Sequence, residues 1–263
     1  MTGTLVRVDT LPPVAQYCVR LGDDALVMAQ RMGEWLARAP QIEEDMALGN
    51  IGLDLVGQAR ALLTRAGELS AAAGGPAYTE DDLAYWRDDR DYTNVQLVEQ
   101  ERGDFAVTIV RMLVLSTWQR HLYEELTASA DAGIAAVAAK AVKEVDYHRD
   151  HARQWTLRLG LGTDVSRAKM TAALDVVAPY VPELFDDDEL TETLAAQGFA
   201  VQPSALREPV EQDLDAVLAE AGLAWPQTTW RSRGGRIGIH STSLGLLLAE
   251  MQHLARTHPG AAW

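Results

Sequence analysis

Apolar residues recur at intervals of three and four along nearly the whole chain, and no alternating run of any length interrupts them. That feature restricts the fold to the all-α class. A first helix is expected over about 14–37, where Val14, Cys18, Leu21, Ala25, Met28, Met32 and Trp35 share one face and Pro40 follows. A second covers about 41–68; its opening acids Glu43, Glu44 and Asp45 suit a helix N-terminus. Gly74, Gly75 and Pro76 then break the chain. A third covers about 104–127 with Asp104 as its cap, and Asp131 opens a fourth that stops at about Leu159, before Gly160 and Gly162. Four long amphipathic helices, with the longest link between the second and third, describe an antiparallel bundle of two helical pairs. Shorter helices follow, clearest at 164–178 and 204–222, and a last helix is expected from about Ser243 to Thr257. The expected organisation is one domain over 1–263, with a core bundle at about 14–160 and appended helices at about 164–263.

Charge narrows the partners. The 263 residues carry 38 acids against 23 bases, a net charge of −15, which argues against nucleic acid or an anionic membrane as a broad partner. A single cysteine, Cys18, excludes an intrachain disulfide and any cysteine-based metal cluster. No signal peptide and no apolar run long enough to span a bilayer are evident. A cytoplasmic protein is expected.

The stretch KEVDYHRDHARQW (143–155) places Glu144, His148 and His151 close together on the fourth helix. Carboxylate and imidazole at helical spacing are how four-helix carboxylate proteins hold two irons. Such a site takes an acid from each of two helices and Glu-x-x-His from each of the other two. The third residue after Glu144 is Tyr147; His148 comes one position later. On the second helix Asp54 is followed three residues on by Gly57, and no histidine precedes His121. Between Asp104 and Glu124 the third helix has no carboxylate, and on the first Asp24 sits at the edge of the apolar face. Two or three ligands would leave iron under-neutralised. Asp24, Asp54, Glu144 and His148 are therefore expected to form a buried polar network at the former metal position, with no metal. Glu250 and His253 form a true Glu-x-x-His on the last helix, outside the core, and are read as a surface pair or a partner contact.

At this point the chain resembles the C-subunit family of the phenylacetyl-CoA epoxidase complex, a bacterial multicomponent oxygenase of phenylacetate degradation. The resemblance lies in LGDDALVMAQRMGEWLARAP (21–40), NIGLDLVGQARALL (50–63), KEVDYHRDHARQW (143–155), ELFDDDEL (183–190) and GGRIGIHSTSLGLLLAEMQHLARTHPGAAW (234–263). It implies a ferritin-like fold with a degenerate di-iron site, no catalytic residue and no cofactor in this chain. The di-iron centre would belong to a catalytic A subunit that this chain stabilises, alongside other subunits and a reductase. An iron-binding oxygenase subunit in its own right and a free-standing acyl-CoA-binding protein are the alternatives. The resemblance also implies that phenylacetyl-CoA, at or near the interface, touches Asp91, Tyr92, Thr93 and Asn94, and Glu192, Thr193 and Leu194. For the first segment the residues offer a case of their own: Tyr85, Trp86 and Tyr92 for stacking, Arg87 and Arg90 for phosphate. An ordinary polar loop is the other reading. Arg231, Arg233 and Arg236, beside Gly234 and Gly235, are the best anion-binding candidates on chemistry alone; a loop that caps the last helix or docks on a partner reads equally well.

Overall fold

The computed structural model describes residues 5–261. Ten α-helices run in order through them: α1 (Pro13–Gly33), α2 (Ile42–Ala72), α3 (Glu80–Tyr85), α4 (Gln96–Glu99), α5 (Phe105–Leu126), α6 (Ala132–Gly160), α7 (Asp164–Val177), α8 (Glu189–Ala196), α9 (Arg207–Glu220) and α10 (Thr242–Thr257). No strand occurs among the described residues, and the all-α fold is consistent with a ferritin-like bundle. The chain groups into two compact units. One takes the described residues up to Arg38, Ile42–Glu101 and Arg233 onward; the other takes Ala39–Gln41 and Arg102–Ser232.

In the first unit α1 and α2 form a helical hairpin. Prolines 12 and 13 open α1, where a missing N–H costs nothing. The helix ends at Gly33 rather than near 37, because the chain turns back at once: Trp35 N–H reaches Met32 O at 3.0 Å, and Arg38 N–H reaches Trp35 O at 2.8 Å. Ala37 makes this turn at φ 61°, in the left-handed region. A residue with a Cβ bears about 1–2 kcal/mol there, part of which glycine would return as entropy of the unfolded chain. Ala37→Gly is therefore expected to stabilise the protein by about 0.5–1 kcal/mol, read as a higher urea midpoint at unchanged slope.

The helix α1 is buried along almost its whole circumference, and its buried set includes Arg20, Asp23, Asp24 and Arg31. Four charges in so apolar a helix need partners, and these decide the interior of the unit. The helix α2 turns Leu48, Ile51, Leu55, Ala59 and Leu62 inward. From the far end of the sequence, α10 packs against α3, α4 and the 3-10 turn Asp89–Asp91.

In the second unit α5 is the central helix, in contact with α6, α7 and α9. Asp104 caps it by accepting Val107 N–H at 3.2 Å, and Asp131 caps α6 through Ile134 N–H at 2.9 Å. Both caps were legible in the sequence. The helix α6 buries one stripe, from Ile134 through Ala138, Ala141, Val145, His148 and Ala152. Sequence periodicity missed the 3-10 segment Ala178–Phe185 and α8. The first contains Pro179 and Pro182, and the second is a short helix opened by an Asp188–Thr191 capping box. No helix among the described residues is long and apolar enough to cross a membrane.

Candidate functional site

The buried acids of the first unit lie between α1, the segment 87–99 and the loop 233–241. Asp23 meets Arg87: Nη1 donates to Oδ2 at 2.9 Å, and Nη2 donates to Oδ1. The same carboxylate accepts Thr93 N–H at 2.9 Å and Thr93 Oγ1 at 3.0 Å. Both charged side chains are fully buried. Burial works against the charged guanidinium, but Asp23 more than offsets it, so the pKa of Arg87 rises. Arg87 also covers the Tyr92 ring, 4.1 Å from its centroid. Burial, the largest influence on the Tyr92 phenol, pushes it up to about 12.

Asp24 takes a second arginine. Arg236 donates to both its oxygens, Nη1 to Oδ1 at 3.0 Å and Nη2 to Oδ2 at 2.8 Å, and Val95 N–H adds a bond of 2.9 Å. Burial raises the Asp24 carboxyl above its ordinary value, while Arg236 and the amide pull it back part of the way.

Glu99 completes the set. Its Oε2 accepts from Asn94 Nδ2 at 2.9 Å and faces His240 Nδ1 at 2.7 Å. Its Oε1 accepts Ser241 N–H at 2.6 Å, so a carboxylate holds the entry to α10. The other ring nitrogen of His240, Nε2, lies 2.9 Å from Tyr92 O. Both nitrogens thus face acceptors, which an imidazole can satisfy only when doubly protonated. Burial would lower the His240 pKa, but the hydrogen bond and charge of Glu99 outweigh it, and the pKa is raised.

The sign of this linkage is definite. A histidine whose folded pKa exceeds its unfolded value, about 6.5, stabilises fully below that value and loses the contribution as pH rises through the folded pKa. Stability should therefore fall from about pH 6.5 upward, in a window that His240→Gln removes. Urea melts of both proteins across pH 5.5–9 check this; equal slopes would contradict a charged His240.

These contacts change the reading of several residues. Arg87 and Arg236 bind anions, but the anions are the chain's own Asp23 and Asp24. Arg87, buried by its pairing, is not available to an external phosphate. Tyr92 and Asn94 are wholly buried and Thr93 nearly so. The polar string 91–94 is inside because Asp23 and Asp24 take the amides of Thr93 and Val95. Tyr92 therefore does not share an open face with Tyr85 and Trp86, which line a pocket of about 620 Å³ with Met251 and Leu254. Asp91 and Arg90 line another, of about 350 Å³, with Arg20 and Arg236. Arg231 pairs with Asp186 at 2.9 Å. On α8, Glu192 and Thr193 are exposed and Leu194 is buried. Glu250 and His253 are both exposed on α10.

Of the four residues assigned to a polar network, Asp24 lies in the cluster just described. Asp54 is half-buried on α2 in the same unit. Glu144 and His148 belong to the second unit, where Glu144 pairs with Lys140 at 3.0 Å and His148 is buried. Sequence reasoning missed Asp23, Glu99 and His240. The tandem acids of α1 were the available signal, since two adjacent carboxylates on a helix this apolar both need cations.

The donor chemistry of this cluster does not fit a di-iron centre. Asp23 and Asp24 are each neutralised by an arginine, and both nitrogens of His240 are committed. Among the described residues no group of three or more His, Cys, Asp or Glu is placed to hold a metal ion.

Comparison with known proteins agrees with the resemblance drawn from the sequence. The family described as phenylacetic acid catabolic protein matches residues 7–263. Among curated proteins, the chain is similar to the C subunit of 1,2-phenylacetyl-CoA epoxidase from Escherichia coli (strain K12). The two are 46% identical over 247 residues, which cover 94% of this chain and 98% of that one. The chain therefore belongs to the phenylacetic acid catabolic protein family.

Proposed function

We propose that this chain is the non-catalytic structural subunit of a cytoplasmic, multicomponent di-iron oxygenase that epoxidises phenylacetyl-CoA. In that complex it stabilises the catalytic A subunit, which carries the iron, receives electrons from a reductase and binds substrate at or near the shared interface. The observation that carries the reading is the near full-length likeness to the C subunit of an epoxidase. The chemistry of the first unit supports the division of labour. Carboxylates that could serve iron are held by arginine and histidine, an arrangement that supports a fold without leaving a metal-binding lone pair on His240.

The test has two arms. The purified chain, loaded anaerobically with ferrous iron, should retain far less than one iron per molecule. Co-expressed with the A subunit from the same source, it should elute as a stable complex, and A alone should be less stable and less active. Stoichiometric iron in the isolated chain, or separate elution of the two chains at micromolar concentration, would overturn the proposal.

A further inference from the structure

The helix α2 is apolar on two sides. One side packs inward through Leu48, Ile51, Leu55 and Ala59. On nearly the opposite side Ile42, Met46, Gly49, Leu53 and Val56 follow one another at steps of four, three, four and three. That is the a/d spacing of a heptad seam, sustained for two heptads. Ile42, Met46 and Leu53 are 72%, 65% and 69% exposed, and Leu36, just beyond α1, is 57% exposed. A single exposed leucine means little, but a continuous seam on a helix whose other side already fills the core is a second packing surface. Small residues deepen it. Gly33 and Gly49 leave space beside Met46 and Leu53, and the result is a groove of about 460 Å³ within the first unit.

Two further observations describe what fits there. The seam runs from residue 42 to 56, about four turns or roughly 21 Å, which matches the side of one partner helix crossing at a shallow angle. Its flanks are acidic or polar: Glu43 and Asn50 on one edge, Asp45 on the other. One carboxylate oxygen of Asp45, at the groove wall, is buried and has no hydrogen-bond partner among the described residues. A buried carboxylate oxygen in that state calls for a donor, and a cationic donor satisfies it best. No residue from 42 to 56 is basic, and Arg60, one turn beyond Val56, pairs with Glu80 at 3.4 Å, so the complement to Asp45 has to come from outside.

We infer that this seam seats one amphipathic helix of the catalytic partner subunit, with an apolar stripe in the groove and a lysine or arginine directed at Asp45. The inference rests on the proposed role as a structural subunit and names the face by which that role is carried out.

The experiment uses the full chain co-expressed with the catalytic subunit. Leu53→Glu and Met46→Glu place charge in the seam at exposed positions; Leu246→Glu, at an exposed leucine of α10, is the control. The seam variants should bind the partner at least tenfold more weakly and keep the wild-type melting temperature, with the control unchanged. Asp45→Lys should weaken binding and also remove its decrease with salt. Since the only cysteine, Cys18, is buried, Leu53→Cys gives a single labelling site. An environment-sensitive dye there should report burial when the partner is added, a readout that does not depend on charged variants folding well. If the wild-type chain forms no complex, the structural-subunit reading fails. If the wild type binds and seam variants bind equally well, or the dye is unaffected, that reading stands and the seam assignment fails. A wild-type chain that dimerises alone, with Leu53→Glu abolishing the dimer, would also overturn it, because the occupant would then be a second copy.

Discussion

Asp23→Ala is expected to destabilise the protein by about 3–5 kcal/mol, the cost of leaving one member of a buried ion pair uncompensated. Arg87 would remain fully enclosed, with the Leu83 and Asp91 carbonyls as its remaining polar acceptors. Thr93 would lose the acceptor of both its amide and its hydroxyl. Removing both charges should cost less than the two single losses added together. The double change Asp23→Leu with Arg87→Leu takes away the charge to be solvated and leaves unpaired neutral groups, each worth about 1–3 kcal/mol. Urea denaturation of Asp23→Leu, Arg87→Leu and the double variant measures the coupling directly. Additive losses would show that Asp23 and Arg87 act independently, contrary to their bidentate geometry.

Gly67→Ala should be nearly as severe. Gly67 lies inside α2, and a Cβ built there would stand 1.9 Å from the carbonyl oxygen of Tyr78 and 3.0 Å from its carbonyl carbon. No side chain can rotate away, so either the helix or the following segment must move. Overpacking against a backbone costs about 3 kcal/mol. Gly245→Ala in α10 is the counterpart: nothing lies within 4 Å of its Cβ position, and the change should stabilise the helix by about 0.5–1 kcal/mol. Comparing the two urea midpoints separates close approach from helix propensity.

The helices were legible because their signals are local. Asp104 and Asp131 act on amides three residues ahead, and Gly74, Gly75 and Pro76 stop α2 within a few residues. The interior of the first unit was not, because its pairs are remote: Arg87 lies 64 residues from Asp23, and Arg236 lies 212 from Asp24. No periodicity identifies which arginine answers which acid. The polar string 91–94 looked like a surface loop because its burial depends on two amides captured from α1, a backbone contact that side-chain composition does not report. The outward seam of α2 was hidden for a different reason. A helix with two apolar sides blurs the single-stripe pattern on which such readings rely.

The first unit is interrupted in the chain: its last pieces begin at Arg233, after the whole second unit has been written. During synthesis Asp24 and Glu99 emerge before the main body of the second unit, whereas Arg236 and His240, the cations that balance them, follow it. At roughly 5–20 residues per second, the nascent α1–α2 hairpin waits several seconds or more with acids that it cannot bury. The second unit, Ala39–Gln41 with Arg102–Ser232, has all its residues in place before Arg233 is made. The order of birth is thus the reverse of the order of completion: the chain starts the first unit, finishes the second, and only then returns with Arg236 and His240 to complete the first.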